Sequence, residues 1–233
     1  MKNLLIVILF ICVASSLSAA QTPLIVAHTE PGLLIRINMV VVAEAYRRIN
    51  IPIKMVTYPN LRSLIESNAG RTDAEMLRVK LKTEKYPNLI RVPVALYTLE
   101  GGVWARTGSK VKINSLRDLN KYHVGLRVGE IWAIKASKNV ENLITIPTAE
   151  LLFRMLLKKR VQVILFTKVF GIGVINTHSF SGLEFLEPTL VYSDLFHYIH
   201  KKNIDLLPKL TETFRQMKQE GFMAKTKSEF LKK

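Results

Sequence analysis

Cysteine is all but absent: the single one, Cys12, lies in the first apolar stretch of the chain. With that stretch removed, disulfides, thiolate metal sites and cysteine catalysis are excluded. Acidic residues are scarce as well, 18 against 34 lysines and arginines, which leaves a formal net charge of +16. No tract is of low complexity and no repeat falls in the solenoid range. After residue 20 no stretch is long and apolar enough to cross a membrane. His197 and His200 are three apart in a segment that reads as extended, so they point to opposite faces and have no third metal ligand nearby. Ser179 and Ser181 neighbour His178, but a triad is made by geometry and not by adjacency. Gly171-Ile172-Gly173 lacks the third glycine and the strand–helix context of a phosphate loop. The sequence therefore offers no catalytic set, no metal site and no cofactor motif.

What is present begins with an export pattern. Lys2 precedes the apolar run Leu4 to Val13, and Ser18-Ala19-Ala20 stands before Gln21. That is a basic n-region, an h-region and a small-residue cleavage site, with cleavage expected after Ala20 and a periplasmic destination. In that compartment the positive balance fits acidic ligands, an anionic surface or simply a solvated basic exterior.

The rest of the chain reads as α/β. Pro23 to His28 is a strand, and Leu34, Ile37, Val41, Ala45 and Ile49 recur at helical spacing. Ile51 to Tyr58 is a second strand. Asn60 is placed to cap the next helix, and Gly70 to end it. Asp73 to Val79 is a third strand, carrying Glu75 and Arg78. Strand and helix alternating in this way predict a parallel sheet with right-handed crossovers. Leu89 to Leu96 is extended, and Gly101-Gly102 is expected to break the chain before Val103 to Arg106. The alternation then repeats: a short helix capped by Ser115, strands at Val124 to Val128 and Leu143 to Ile146, a helix Ala149 to Lys159 capped by Thr148, and a strand Val161 to Phe166. Val191 to His200 reads as extended. Leu207, Leu210, Phe214 and Met217 form one stripe of a terminal helix that Gly221 interrupts.

The order of these elements resembles the bacterial extracellular solute-binding proteins of family 3, the type II periplasmic binding fold. The residues that carry the likeness are Gly70-Arg71-Thr72-Asp73-Ala74, Thr83-Glu84-Lys85, Ser115-Leu116-Arg117-Asp118-Leu119, Val124-Gly125-Leu126-Arg127-Val128-Gly129, Lys201-Lys202-Asn203 and Gln219-Glu220-Gly221-Phe222. Glu75, Arg78 and Tyr86-Pro87-Asn88-Leu89-Ile90-Arg91-Val92-Pro93 look like a less characterised subgroup. The resemblance implies two lobes, residues 21–105 plus 192–233 and residues 106–191. Hinges are implied near Val103–Arg106 and Val191–Asp194, with a ligand held between the lobes. Family members that bind amino acids carry an arginine where this chain has Tyr86 and an aspartate where it has Thr167, so both halves of the amino-acid clamp are replaced.

Glu75 and Arg78 are either ligand contacts or an ion pair at the lobe edge. Loops at strand C-termini and helix N-termini face such a cleft, which nominates Glu30, Tyr58, Arg62, Tyr97, Arg127, Gly129, Glu130 and Thr148, and Thr167, at the replaced clamp position, is a further candidate ligand contact. Trp132 either stacks on a ligand or packs its own helix. The reading these features favour is a monomeric periplasmic protein without chemistry of its own. It would capture a small anionic or zwitterionic, amino-acid-like ligand and deliver it to an ABC-type permease or report it to a sensor kinase, with no nucleic acid involved. The alternatives are a lyase of the same fold, cyclohexadienyl-dehydratase-like with Glu75 as base, and a basic envelope protein that binds anionic polymers or lipid.

Overall fold

The computed structural model describes residues 22–30 and 32–231. The expected signal segment, residues 1–20, lies outside the described residues.

The first half opens as the apolar pattern predicts. Strand β1 (Leu24–His28), helix α1 (Leu33–Arg48), strand β2 (Ile53–Thr57), helix α2 (Asn60–Asn68) and strand β3 (Ala74–Arg78) follow in order, and β1 pairs parallel with both β2 and β3. In α1 the buried stripe includes Leu34, Ile37, Val41 and Ala45, while Glu44 on the outer face binds Arg47 and Arg48 at 2.7 and 2.8 Å. α2 starts at Asn60 itself, with Pro59 in the cap position, so Asn60 is not the cap. Proline brings a fixed φ there and no N–H that would need a partner. Gly70 ends the helix with φ +74. Its N–H donates to the Ser67 carbonyl at 3.2 Å, and Arg71 N–H to that of Glu66 at 3.1 Å, the paired bonds of a Schellman motif.

Asp73, next in line, is a structural fastener. Its Oδ2 accepts the Ile25 N–H at 2.7 Å, and Oδ1 pairs with Lys202 at 2.9 Å. One carboxylate thus ties β1, β3 and the segment after the last strand together.

The two longest strands are β4 (Leu89–Arg106) and β8 (Leu183–His200), antiparallel partners of 18 residues each. β4 runs straight through Gly101-Gly102, where a break was expected. These glycines serve close approach. A Cβ on Gly101 would lie 2.9 Å from the Trp132 ring, and one on Gly102 would lie 2.5 Å from that of Phe185. Between β4 and β8 lie a 3₁₀ helix at Leu116–Lys121, β5 (Val124–Arg127), α3 (Ile131–Ala136), β6 (Leu143–Ile146), α4 (Ala149–Leu157), β7 (Val163–Thr167) and α5 (Lys168–His178). Ser115 and Asp118 make a capping box on the 3₁₀ helix, and Thr148 Oγ1 accepts the Leu151 N–H at 3.2 Å. α4 stops at Leu157, short of the expected Lys159; Lys159 itself has φ +60.

The sheet order is β2-β1-β3-β8-β4-β7-β5-β6. Each end of this sheet is parallel, and the antiparallel pair β4 and β8 joins the ends. Leu89 to Ile90 pairs with Ile199 to His200 near β3, and Val103 and Trp104 pair with Leu165 and Ile164 of β7. A second 3₁₀ helix, Lys201–Leu206, then leads to α6 (Leu207–Gln219) and α7 (Phe222–Leu231), which close the first half. Val169 of α5 belongs to the first-half core, whereas Phe170 and Ile172 pack against both cores.

At the centre of the first half sits a buried polar pair. Tyr46 Oη lies 3.0 Å from His197 Nε2, and His197 Nδ1 lies 3.1 Å from the Met76 carbonyl. A carbonyl only accepts, so Nδ1 carries the proton and Nε2 accepts from the Tyr46 hydroxyl. Burial lowers the His197 pKa to about 4, against a weaker opposing pull from the Met76 carbonyl. The folded protein therefore keeps this ring neutral while the unfolded chain binds a proton near pH 6.5. Stability contributed here is complete above about pH 6.5 and is lost as pH falls toward about 4, by about 3 kcal/mol in all. Urea titrations at pH 7 and pH 5 will show this loss, and His197→Gln will reduce the difference between the two; an equal difference in both proteins would contradict it.

Candidate functional site

A cavity of about 430 Å³ lies where the two halves meet. From the first half come Gly32, Leu33 and Arg36 at the start of α1. From the second come Arg127 at the end of β5, Ala149 at the start of α4, Phe166 of β7, and the face of α5 that carries Phe170 and Val174. Strand C-termini and helix N-termini converge here because β5 and β7 are parallel, which puts their helices' starts at one edge. The walls are mixed: apolar rings and aliphatic side chains, two guanidinium groups, and Asn176, Thr177 and His178 at the end of α5. No carboxylate lines it among the described residues.

Arg127 is anchored at one point. It donates through Nη2 to Glu130 Oε2 at 3.0 Å, and its Cζ lies 5.4 Å from the centre of the Phe166 ring. Its Nε is buried and has no acceptor among the described residues. Glu130 is buried and fully engaged. Its Oε1 accepts from Trp132 Nε1 at 3.0 Å and from Thr167 Oγ1 at 3.1 Å. Trp132 lies against Gly101, as described above, and its Nε1 also approaches Thr167 Oγ1 at 3.2 Å. Glu130, Trp132 and Thr167 thus form one internal network behind Arg127. None of the three lines the cavity, and Trp132 packs within the protein. Gly129 makes the turn between β5 and this network with φ +84.

A second cavity of about 360 Å³ adjoins the first, sharing Gly32 and Phe170 with it. Glu30 and Arg78 line this one, with Val79, Leu99 and Leu195. Arg78 Nε donates to Glu75 Oε1 at 2.7 Å. In a regular strand residues three apart point to opposite faces. Here the register shifts between Glu75 and Arg78, and a bulge of this kind lets the two meet. Glu75 is 1% exposed and lines neither cavity. Its Oε2 accepts from Ser63 Oγ at 2.6 Å and Ser67 Oγ at 3.2 Å. Burial pushes its carboxyl above the ordinary range, against the opposing pull of Arg78 and the two serines.

The other nominated residues lie apart. Tyr97 is buried beside Glu100, Lys168 and Lys227, with the Lys227 ammonium 4.8 Å from the ring centre. Glu100 accepts from Lys168 at 3.2 Å and Lys227 at 2.9 Å. Burial raises its carboxyl, but the two lysines together hold it below the usual range. Arg62 is exposed and pairs with Glu66 at 3.4 Å. Tyr58 is half-buried after β2, its N–H on the His28 carbonyl at 2.8 Å. Thr148 caps α4 and so serves the cavity wall only through Ala149.

Two contributors escaped the sequence reading. Arg36 is a cation in the first turn of a helix, where the dipole favours anions, and that misplacement was the available signal. The face of α5 gave no signal, because its role depends on meeting α1: Gly173 lies beside Leu33, where an added Cβ would sit 3.7 Å from the Leu33 Cβ.

No family model matches the chain, and no curated protein matches it significantly. Solved structures do. The GluR0 ligand-binding core in complex with L-glutamate superposes with a TM-score of 0.70 at 12% identity, over 91% of this chain and 99% of that one. An ancestral cationic amino acid solute-binding protein gives 0.72 at 14%, over 90% and 95%. A histidine kinase sensor domain with similarity to periplasmic binding proteins gives 0.65 at 14%, over 91% and 96%. At such identities the likeness shows the fold alone: this chain has the α/β architecture of the periplasmic binding proteins.

The Trp132 network leads to a direct test. Gly101→Ala must displace the indole ring, with an expected loss of about 1–3 kcal/mol. Chemical denaturation measures the loss, and a changed tryptophan emission accompanies it. Unaltered stability would mean that the ring is not held against β4.

Proposed function

We propose that this chain is a solute-binding protein of the bacterial envelope that takes a small carboxylate-bearing ligand between its two halves. The observation that carries this reading is the cavity at their junction. It is lined by Arg36 from one half and Arg127 from the other, with strand and helix ends converging on it. A guanidinium presents paired donors that suit a carboxylate, and ligand sites of α/β sheets lie at such edges.

On this reading the lobes are residues 21–105 plus 192–233 and residues 106–191, and the mature chain starts at Gln21. The pairing of Thr98 with Asp194 and of Gly101 with Val191 favours a crossing slightly before Val103, beside the Glu100 ion cluster. Closure about such a crossing is the motion expected of two lobes joined by two strands. The chain acts as a monomer and needs no catalytic group. Glu75, the one candidate base, is sealed beneath Ser63 and Ser67. The captured ligand passes to an ABC-type permease or is reported to a sensor kinase.

A thermal-shift screen of residues 21–233 against amino acids, carboxylic acids, polyamines and small peptides tests the reading. A ligand at 100 times its dissociation constant stabilises by roughly 2.7 kcal/mol, so an acid among the set will raise the melting temperature clearly. Stabilisation by polyamines alone, or by nothing in the set, would overturn it.

A further inference from the structure

We infer that the ligand carries two acid groups on an apolar body and no ammonium: a small dicarboxylate rather than an amino acid. The inference rests on the reading of the junction cavity as the ligand site, and it narrows the chemistry that site accepts.

Three observations lead there. First, the cavity has cations on two sides and no carboxylate on any. Arg36 and Arg127 come from opposite halves, and no Asp or Glu is among the described residues that line it. An ammonium held there would lose its water and meet no carboxylate among the described lining residues, and it would stand near two like charges.

Second, the carboxylate that Arg127 holds is already occupied. Glu130 takes hydrogen bonds from Arg127, Trp132 and Thr167. Thr167 donates its hydroxyl inward to Glu130, and neither residue lines the cavity, so the Glu130 charge is turned away from a ligand held there. Arg127 is not used up by the same network. A guanidinium has five N–H donors; one reaches Glu130, and the buried Nε–H has no acceptor among the described residues. A buried donor in that state is uncommon in a folded protein. A modest rotation of the side chain toward the cavity presents its fork to a carboxylate.

Third, much of the lining is apolar. Leu33, Phe166, Phe170 and Val174 contribute to it, beside the polar Asn176, Thr177 and His178 at the end of α5. The cavity volume of about 430 Å³ is at the small end of ligand pockets and corresponds to a sphere about 9 Å across. A dicarboxylate of the length of succinate to adipate places an acid group at each end of such a space and methylenes against the rings.

Matched pairs make the test. Isothermal calorimetry on residues 21–233 compares succinate with aspartate, glutarate with glutamate, and adipate with 2-aminoadipate, with butyrate as the single-acid reference. In the best-binding pair the dicarboxylate will bind at least about tenfold more tightly than its amino counterpart, and more tightly than butyrate. Arg36→Gln, at an exposed position, will weaken that dicarboxylate by about tenfold and reduce its salt dependence while leaving the melting temperature of the free protein unchanged.

Equal or tighter binding of the amino counterparts overturns the inference and leaves the solute-binding reading intact. Dicarboxylate binding that Arg36→Gln does not weaken overturns the assignment to this cavity. No binding by any of the pairs overturns the inference. The broader reading falls with it only if the thermal-shift screen is also silent.

Discussion

The antiparallel pairing of β4 with β8 is the constraint on which the rest depends. Each strand is 18 residues long and belongs to both ends of the sheet. The parallel strands β2, β1 and β3 attach on one side of this pair, and β7, β5 and β6 on the other. Remove the pairing and two small α/β halves remain, each with its own core. Keep it, and the strand ends of the second half are held opposite the start of α1, which is what creates the junction cavity. The crossing is reinforced by charge: Glu100 on β4 holds Lys168 at the start of α5 and Lys227 in α7. With these side chains about a fifth to a third exposed, the ion pairs are only partly screened. They connect α7 to the first residue of α5.

Much of this was legible in the residues, for reasons that are local. The stripes of α1 and α6, the Gly70 terminator, the Ser115 cap and the Thr148 cap all depend on neighbours within one turn. The failures are tertiary. A Gly-Gly pair can signal a chain break or an approach too close for a Cβ, and only the rings of Trp132 and Phe185 decide between them. The Glu75–Arg78 pair required a bulge that no spacing rule contains. In the candidate site, Arg127 was reachable from the strand-end argument. The contribution of α5 was not, since it arises from contact with α1, far away in the sequence. Glu130, Trp132 and Thr167 were nominated for separate reasons as ligand contacts, yet they bind one another.

That mutual binding explains how a fold shared with amino-acid-binding proteins can present a different chemistry. Glu130, Trp132 and Thr167 bind one another away from the cavity, so the polar side chains that line the junction are Arg36, Arg127, Asn176, Thr177 and His178. Gly101 on β4 lets the Trp132 ring settle deep enough for this, since a Cβ there would lie 2.9 Å from it.

The central claim is that the two halves move about the β4–β8 crossing when the junction is occupied. Cys12 lies outside residues 21–233, so a protein of that span with Lys54→Cys and Lys138→Cys takes one spin label on each half. Pulsed dipolar spectroscopy then reads the distance between them. With any compound that raises the melting temperature, the account predicts a distance distribution that narrows and shifts. A distribution identical with and without that compound would contradict it.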